Sequence, residues 1–78
     1  MSEDNIKQAL AAPYGVKVFQ CLIEENLSAM EIRRKANIDY DSVAAVLDRL
    51  ESVRAVEYVE EKWKATDIGK KVFKKFYL

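Results

Sequence analysis

Two helix-start signals separated by a short turn constrain this chain of 78 residues more than any other feature. The first is the capping box Ser28-Ala29-Met30-Glu31, in which the serine oxygen and the glutamate side chain satisfy each other's backbone N–H groups. The second is Asp39, a favoured N-cap residue. Between them, Asn37 tolerates the left-handed conformation that ends helices. The pattern predicts one helix that ends at Asn37 and a second that starts at Asp39 and runs to about Val53.

Two short β-like runs follow, Val56–Val59 and Trp63–Ala65, around the tip Glu60-Glu61-Lys62. Thr66 or Asp67 then caps a last helix. An isolated hairpin is marginal in water and needs cover from other elements. We therefore expect the hairpin to pack at the edge of a helical bundle, over the apolar helix that runs to about Glu25 and the helix that starts at Asp39.

The segment before the first capping box supplies the rest of that bundle. Ile6, Ala9 and Leu10 have helical spacing and predict a short opening helix. Pro13 fits the first turn of the next helix, which runs to about Glu25 and is mostly apolar, as a central core element would be. The sequence predicts one α+β domain over residues 1–78, mostly helical with a small hairpin and a helix-turn-helix layout at about 28–54.

The composition argues against an enzyme. There is no histidine, the only cysteine is Cys21, and the two glycines, Gly15 and Gly69, are too far apart for a phosphate-binding loop. We expect no metal site and no cofactor.

The same composition favours a cytoplasmic protein. One cysteine builds no disulfide framework, and Cys21 stands among apolar residues where it fits the core. The first residues, MSEDNIKQ, are acidic and polar, unlike a secretory signal, and no apolar run approaches the ~20 residues that span a bilayer.

Charge is unevenly distributed although the net charge is zero. Residues 1–61 hold seven Lys/Arg and twelve Asp/Glu, a net charge of −5, whereas residues 62–78 hold six Lys and one Asp, a net charge of +5. This asymmetry fits either a dipolar surface that favours solubility or a basic end that meets an anionic partner.

The serial order of these elements resembles the winged helix-turn-helix regulators of the ArsR/MarR kind, over most of the chain from Leu10 to Val72. Ser28-x-x-Glu31-Ile32 resembles the start of the family's second helix, Ala55-Val56-Glu57 resembles the entry to its wing, and Trp63-x-Ala65-Thr66-Asp67-x-Gly69 resembles the wing exit. The resemblance implies a wing at about 55–66 and a C-terminal helix at about 67–77. Arg54 stands where the family often has glycine.

The resemblance implies a regulator of transcription, a repressor acting as a homodimer on double-stranded DNA. The helix after Asp39 would lie in the major groove. Positively charged residues of the preceding helix and of the wing would contact phosphates. The expected DNA-binding residues are Arg33, Arg34, Tyr40, Asp41, Ser42, Ala44, Ala45, Arg49, Lys62 and Lys64.

The C-terminal segment GKKVFKKFYL carries many large apolar groups for the end of a short chain. We expect a dimer contact through Phe73, Phe76, Tyr77 and Leu78, with packing of this helix into the protein's own core as the alternative. A membrane-surface helix is a third, less favoured, alternative.

A second class of function remains open beside DNA binding. Asp41 and Asp48 on the expected recognition helix repel phosphates, and the first 61 residues are acidic. These features favour a winged-helix module that binds a protein partner within a larger assembly.

Overall fold

The computed structural model describes residues 2–78 and contains five helices and one antiparallel hairpin. This arrangement confirms the expected α+β fold class, mostly helical with a small two-stranded sheet. None of the helices in residues 2–78 is long and apolar enough to cross a membrane. The elements are α1 (Ser2–Ala11), α2 (Gly15–Glu24), α3 (Ala29–Ala36), α4 (Tyr40–Ser52), β1 (Val56–Val59), β2 (Lys62–Ala65) and α5 (Asp67–Tyr77).

Side-chain caps start α3, α4 and α5 where the sequence predicts. The Ser28 hydroxyl accepts a hydrogen bond from the Glu31 N–H at 3.2 Å, and the Glu31 carboxylate accepts one from the Ser28 N–H at 2.8 Å. Asp39 caps α4, and Thr66 caps α5 by accepting from the Gly69 N–H at 3.1 Å. Asn37 ends α3 with φ 58°. Local hydrogen bonds therefore fix the α3–turn–α4 unit, with only three residues between the two helices.

A single hydrophobic core lies among the helices and under the hairpin. The buried face of α2 is central to it, as its apolar composition predicts. Cys21 is part of this core, its thiol donates to the Lys17 carbonyl at 3.4 Å, and burial raises the pKa of that thiol. The largest fully buried side chains are Ile6, Leu10, Val18, Phe19, Leu22, Ile32, Val43, Leu47, Leu50, Val56, Val72 and Phe73.

The hairpin is attached to the bundle on two sides. β1 contacts α4 and β2 contacts α2, which confirms the expected packing. Within the hairpin Tyr58 lies opposite Trp63, and the two rings are 5.1 Å apart between centroids. On the other edge of β2, Leu27 and Trp63 exchange backbone hydrogen bonds of 3.1 and 2.7 Å. β2 thus lies between β1 and the residue that leads into α3.

The start of α2 differs from the prediction. The helix begins at Gly15, and Pro13 lies in the turn before it rather than in its first turn. Tyr14 occupies the N-cap position with φ 66° and makes no side-chain cap. The backbone crosses closely here, since a Cβ built on Gly15 would lie 2.4 Å from the Leu10 carbonyl oxygen. A side chain at position 15 would therefore collide with the backbone at the end of α1.

The buried face of α5 also differs from the prediction. The sequence aligns Ile68, Val72 and Phe76 at helical spacing, but only Val72 is buried, and Ile68 and Phe76 are exposed. Phe73, which was expected at a dimer contact, is instead 2% exposed. Its ring packs 5.2 Å from Phe19 of α2, so it is unavailable at the surface. The alternative of internal packing is therefore correct for this residue, because α5 folds back against α1 and the core.

Candidate nucleic-acid interface

The outer face of α4 forms a continuous surface because its inward face is committed to the core. Val43, Val46, Leu47 and Leu50 are buried. Tyr40, Asp41 and Ala45 are exposed, and Ser42 and Ala44 are half-buried. The structure therefore brings all five residues that were expected to contact bases onto the N-terminal half of one solvent-facing helix.

Ser42 is already engaged in the cap of α4. Its backbone N–H donates to Asp39 at 3.0 Å, and its hydroxyl donates to the same carboxylate at 2.7 Å. Hydrogen bonding from the Ser42 hydroxyl and N–H lowers the pKa of Asp39. The Ser42 oxygen keeps its acceptor capacity, so it is suited to a base amino group more than to a phosphate.

Positively charged side chains on two elements next to α4 lack acidic partners. Arg33 and Arg34 lie on α3, and Lys64 lies on β2. In the part of the chain that the structure describes, no carboxylate lies within 4 Å of any of the three. Lys35 is different, because it pairs with Glu24 at 2.6 Å and Glu25 at 3.4 Å, and hydrogen bonding to Glu24 raises its pKa. The three unpaired cations are the ones suited to phosphate contacts.

Lys62 has a second role that the sequence did not indicate. Its ammonium group donates to the Glu31 carboxylate at 3.0 Å, which links the hairpin to the first turn of α3. Exposed pairs of this kind contribute little stability and exchange readily with other ionic partners. Glu31 was predicted only as a capping residue. Its contact with Lys62 could not be predicted because the two residues are 31 positions apart in sequence.

Arg49 lies on the flank of α4 that faces α1 and the turn before α2. It lines one surface concavity with Pro13 and Tyr14 and a second with Asn5 and Gln8. It therefore sits at the border of the α4 surface rather than beside Tyr40 and the hairpin.

Acidic residues occupy the rest of the α4 surface. Asp41, Asp48 and Glu51 are exposed, and across residues 2–78 no Lys or Arg nitrogen lies within 4 Å of their carboxylates. Three carboxylates against the single guanidinium of Arg49 make the helix surface net negative. Positive charge in this region comes from α3 and β2.

The end of α5 exposes three of the four residues expected at a dimer contact. Phe76, Tyr77 and Leu78 are 39%, 38% and 77% exposed. The Lys7 ammonium lies 4.3 Å from the centre of the Phe76 ring, and Lys75 pairs with Glu3 at 3.0 Å. These two contacts connect the C-terminal part of α5 to α1.

Comparison with known proteins gives no match to a protein-family model, a curated protein or a solved structure. Within residues 2–78 no group of three or more His, Cys, Asp or Glu side chains is arranged to hold a metal ion.

Acid should weaken the link between the hairpin and α3. The Ser28 N–H, followed by Lys62, holds the pKa of Glu31 below its ordinary value of 4.5. A lowered folded-state pKa stabilises the fold above the unfolded value and loses that contribution as the pH falls through the folded value. We expect the melting temperature to fall on acidification below about pH 4.5, and to fall less steeply for Glu31→Gln, because glutamine keeps the capping hydrogen bond without the charge.

Thermal melts monitored by circular dichroism between neutral pH and about pH 3 measure this difference. Glu57→Gln is the matched control, since the Glu57 carboxylate makes no hydrogen bond or ion pair in the described residues. Parallel pH curves for wild type and Glu31→Gln would contradict the assignment.

Proposed function

We propose that this chain is a winged helix-turn-helix domain that binds double-stranded DNA and regulates transcription. One observation carries the proposal. The α3–turn–α4 unit and the hairpin are joined through Leu27 and Trp63, the outer face of α4 is open to solvent, and unpaired cations lie on α3 and β2. Helix-turn-helix proteins place a helix presented in this way in the major groove, which supports the proposal.

Each element then has a separate task. The N-terminal turns of α4 present Tyr40 and Ser42 for hydrogen bonds and Ala44 and Ala45 for contact with thymine methyl groups. Asp41 lies in the first turn of α4, where its negative charge interacts favourably with the positive end of the helix dipole and stabilises the helix. Arg33 and Arg34 from α3 and Lys64 from the hairpin provide sequence-independent affinity by neutralising phosphates. Lys62 contributes a further phosphate contact when its ammonium group leaves the Glu31 carboxylate and binds a phosphate instead.

Salt dependence tests the DNA proposal. We expect the protein to bind a random-sequence labelled duplex with a dissociation constant in the micromolar range at about 50 mM salt and much more weakly at about 200 mM. Removing Arg33, Arg34 and Lys64 together by alanine substitution should lower the slope of log affinity against log salt by about 0.9 for each phosphate that is no longer neutralised. Fluorescence anisotropy measures both quantities.

The matched control removes the same charge elsewhere. Lys17, Lys70 and Lys71 lie on α2 and α5, outside α3, α4, the hairpin and the exposed end of α5, with Lys17 and Lys71 exposed and Lys70 half-buried. Their triple alanine variant should keep the wild-type salt slope. An equal loss in both triple variants would mean that binding depends on overall charge alone, and no binding at low salt would remove the DNA proposal.

We also propose that two copies associate through the end of α5. Phe76, Tyr77 and Leu78 form an exposed apolar strip beside Lys74 and Lys75. A symmetric contact between two copies would bury this strip. The dimer would then present two α4 helices, and helix-turn-helix dimers bind half-sites about 34 Å apart.

Sedimentation velocity over a series of concentrations tests the dimer. We expect wild type to show the mass of two chains and the double variant Phe76→Asp with Leu78→Asp to sediment as a monomer, because charge at a buried apolar contact costs more than the contact gains. Ile68→Asp is the control, since Ile68 is comparably exposed at the other end of the same helix. A monomeric wild type at every concentration would exclude this contact.

The unpaired carboxylates of α4 support a second candidate function, binding of a protein partner. Asp41, Asp48 and Glu51 repel the DNA backbone but attract a basic protein surface. The absence of DNA binding at low salt, together with retained folding, would favour this candidate.

A further inference from the structure

A groove lies between α4 and β2 and overlaps the residues proposed to contact bases at Tyr40 and Ala44. Its volume is about 200 Å³. Sites for drug-sized molecules enclose roughly 300–1,000 Å³, so this groove has the size for one long side chain. Its walls include Tyr40, Ala44, Leu47, Asp48, Glu51 and Trp63.

Two aromatic rings form part of the groove, and one of them is held firmly. Trp63 is half-buried, its backbone is bonded to Leu27 through both N–H and C=O, and its ring packs against Tyr58. Tyr40 is 48% exposed at the start of α4. Tryptophan and tyrosine faces attract cations, tryptophan most strongly.

Two carboxylates complete the groove. Asp48 and Glu51 are three positions apart on α4, and residues at this spacing are neighbours on a helix surface. In the region that the structure describes, neither is within 4 Å of a lysine or arginine nitrogen. Aromatic faces and unpaired carboxylates in one groove are complementary to a cation, and they disfavour phosphate.

We infer that this groove binds an arginine side chain on a basic segment of a partner protein. A guanidinium stacks on aromatic faces and donates two parallel hydrogen bonds to a carboxylate, whereas its methylene stem packs on apolar surface such as Ala44 and Leu47. The groove offers all three kinds of contact. Arginine, tyrosine and tryptophan are also the residues that dominate binding energy at protein interfaces.

This inference gives the second candidate function a partner chemistry, and it does not depend on DNA binding. Its residues differ from Arg33, Arg34 and Lys64, on which the DNA test relies. Tyr40 and Ala44 are shared with the proposed base-contacting surface, so a basic partner seated in the groove would compete with DNA for that part of α4.

Fluorescence of Trp63, the only tryptophan of the chain, provides a direct readout. The probe is an acetylated and amidated glycine-serine peptide with one central arginine, and the matched ligand contains citrulline, which is neutral, in its place. At constant ionic strength we expect a saturable change in Trp63 emission with the arginine peptide and a dissociation constant of about 1 mM, the range expected for a single side chain. The citrulline peptide should give no saturation in the same range.

Two matched double variants locate the contact. Asp48→Asn with Glu51→Gln removes the groove carboxylates and should weaken arginine-peptide binding about tenfold, since charge-assisted hydrogen bonds are removed. Asp4→Asn with Glu57→Gln removes the same charge outside the groove and should change arginine-peptide binding less than about twofold. Thermal melts verify that both variants are folded. Equal losses in the two variants, equal binding of the citrulline peptide, or no saturable binding of the arginine peptide would each overturn the inference.

Discussion

Replacing Phe73 with alanine should remove a large part of the free energy of unfolding and lower the urea midpoint strongly. The Phe73 ring packs between Phe19 at 5.2 Å and Tyr77 at 5.5 Å, and it is 2% exposed. Truncating a buried phenylalanine costs about 3–5 kcal/mol, because apolar burial is reduced and a cavity is left behind. A chain of this length has about 4–12 kcal/mol of total stability, so the cost is a large fraction of the whole.

Urea denaturation followed by circular dichroism measures the effect. Phe76→Ala is the matched control on the same helix, because that ring is 39% exposed and its contact with the Lys7 ammonium contributes only about 0.5–1 kcal/mol. We expect a large fall in the urea midpoint for Phe73→Ala and a small one for Phe76→Ala. Similar midpoints for the two variants would mean that Phe73 is not in the core.

Adding a single methyl group at Gly69 should also destabilise the fold. A Cβ at this position would lie 2.4 Å from the Ala55 carbonyl oxygen, which also accepts a hydrogen bond from the Thr66 N–H. Backbone atoms cannot rotate out of the way as a side chain can, so α5 would have to move away from Ala55. Overpacking of this kind costs about 1–3 kcal/mol, which exceeds the roughly 0.5–1 kcal/mol that alanine gains over glycine within a helix.

The expected result for Gly69→Ala is a melting temperature about 4–8 °C lower for each kcal/mol of destabilisation. Lys71→Ala, an exposed substitution on the same helix, should leave the melting temperature nearly unchanged. An unchanged or raised melting temperature for Gly69→Ala would contradict the close approach of α5 to Ala55.

The starts of α3, α4 and α5 could be predicted because their causes are local, whereas α2, which has no side-chain cap, starts later than predicted. Ser28, Asp39 and Thr66 each bond a backbone N–H three residues ahead, so the sequence alone specifies the cap. The left-handed positions were predictable only at Asn37. Arg54, Glu60 and Glu61 also have positive φ, at 65°, 53° and 65°. Side chains seldom adopt this conformation, and these residues hold it because α4 and the two paired strands fix the chain on either side.

The face of α5 could not be predicted for a different reason. The apolar groups spread over about half of the helix circumference, so more than one orientation of the helix would bury several of them; they are Ile68, Val72, Phe73, Phe76 and Tyr77. The contact of Phe73 with Phe19 and the close approach of Gly69 to Ala55 select the orientation. Both depend on residues far away in sequence.

For the candidate interface, the sequence predicted which residues lie on the exposed part of α4, but it did not predict which positively charged residues are paired with carboxylates. Capping and spacing placed Tyr40, Ala44 and Ala45 on one exposed face. Which cations are paired depends on tertiary contacts, since Lys62 meets Glu31 and Lys35 meets Glu24 across long stretches of chain. The single bridge at Leu27 is too short to leave a strand pattern in the sequence.

That bridge at Leu27 also makes the two strands of the hairpin unequal. β2 has a backbone neighbour on both sides, at least at Trp63, whereas the outer edge of β1 faces solvent. Local opening of the hairpin would therefore begin by peeling β1 away, with β2 staying attached to the entry of α3. The free edge carries Glu57 and leads into Glu60 and Glu61, and negative charge along an open strand discourages a second chain from adding to it. The hairpin thus has an inner strand that is bonded on both sides at Trp63 and holds this residue beside α4. Its outer strand has a free edge at which negative charge disfavours pairing with another chain.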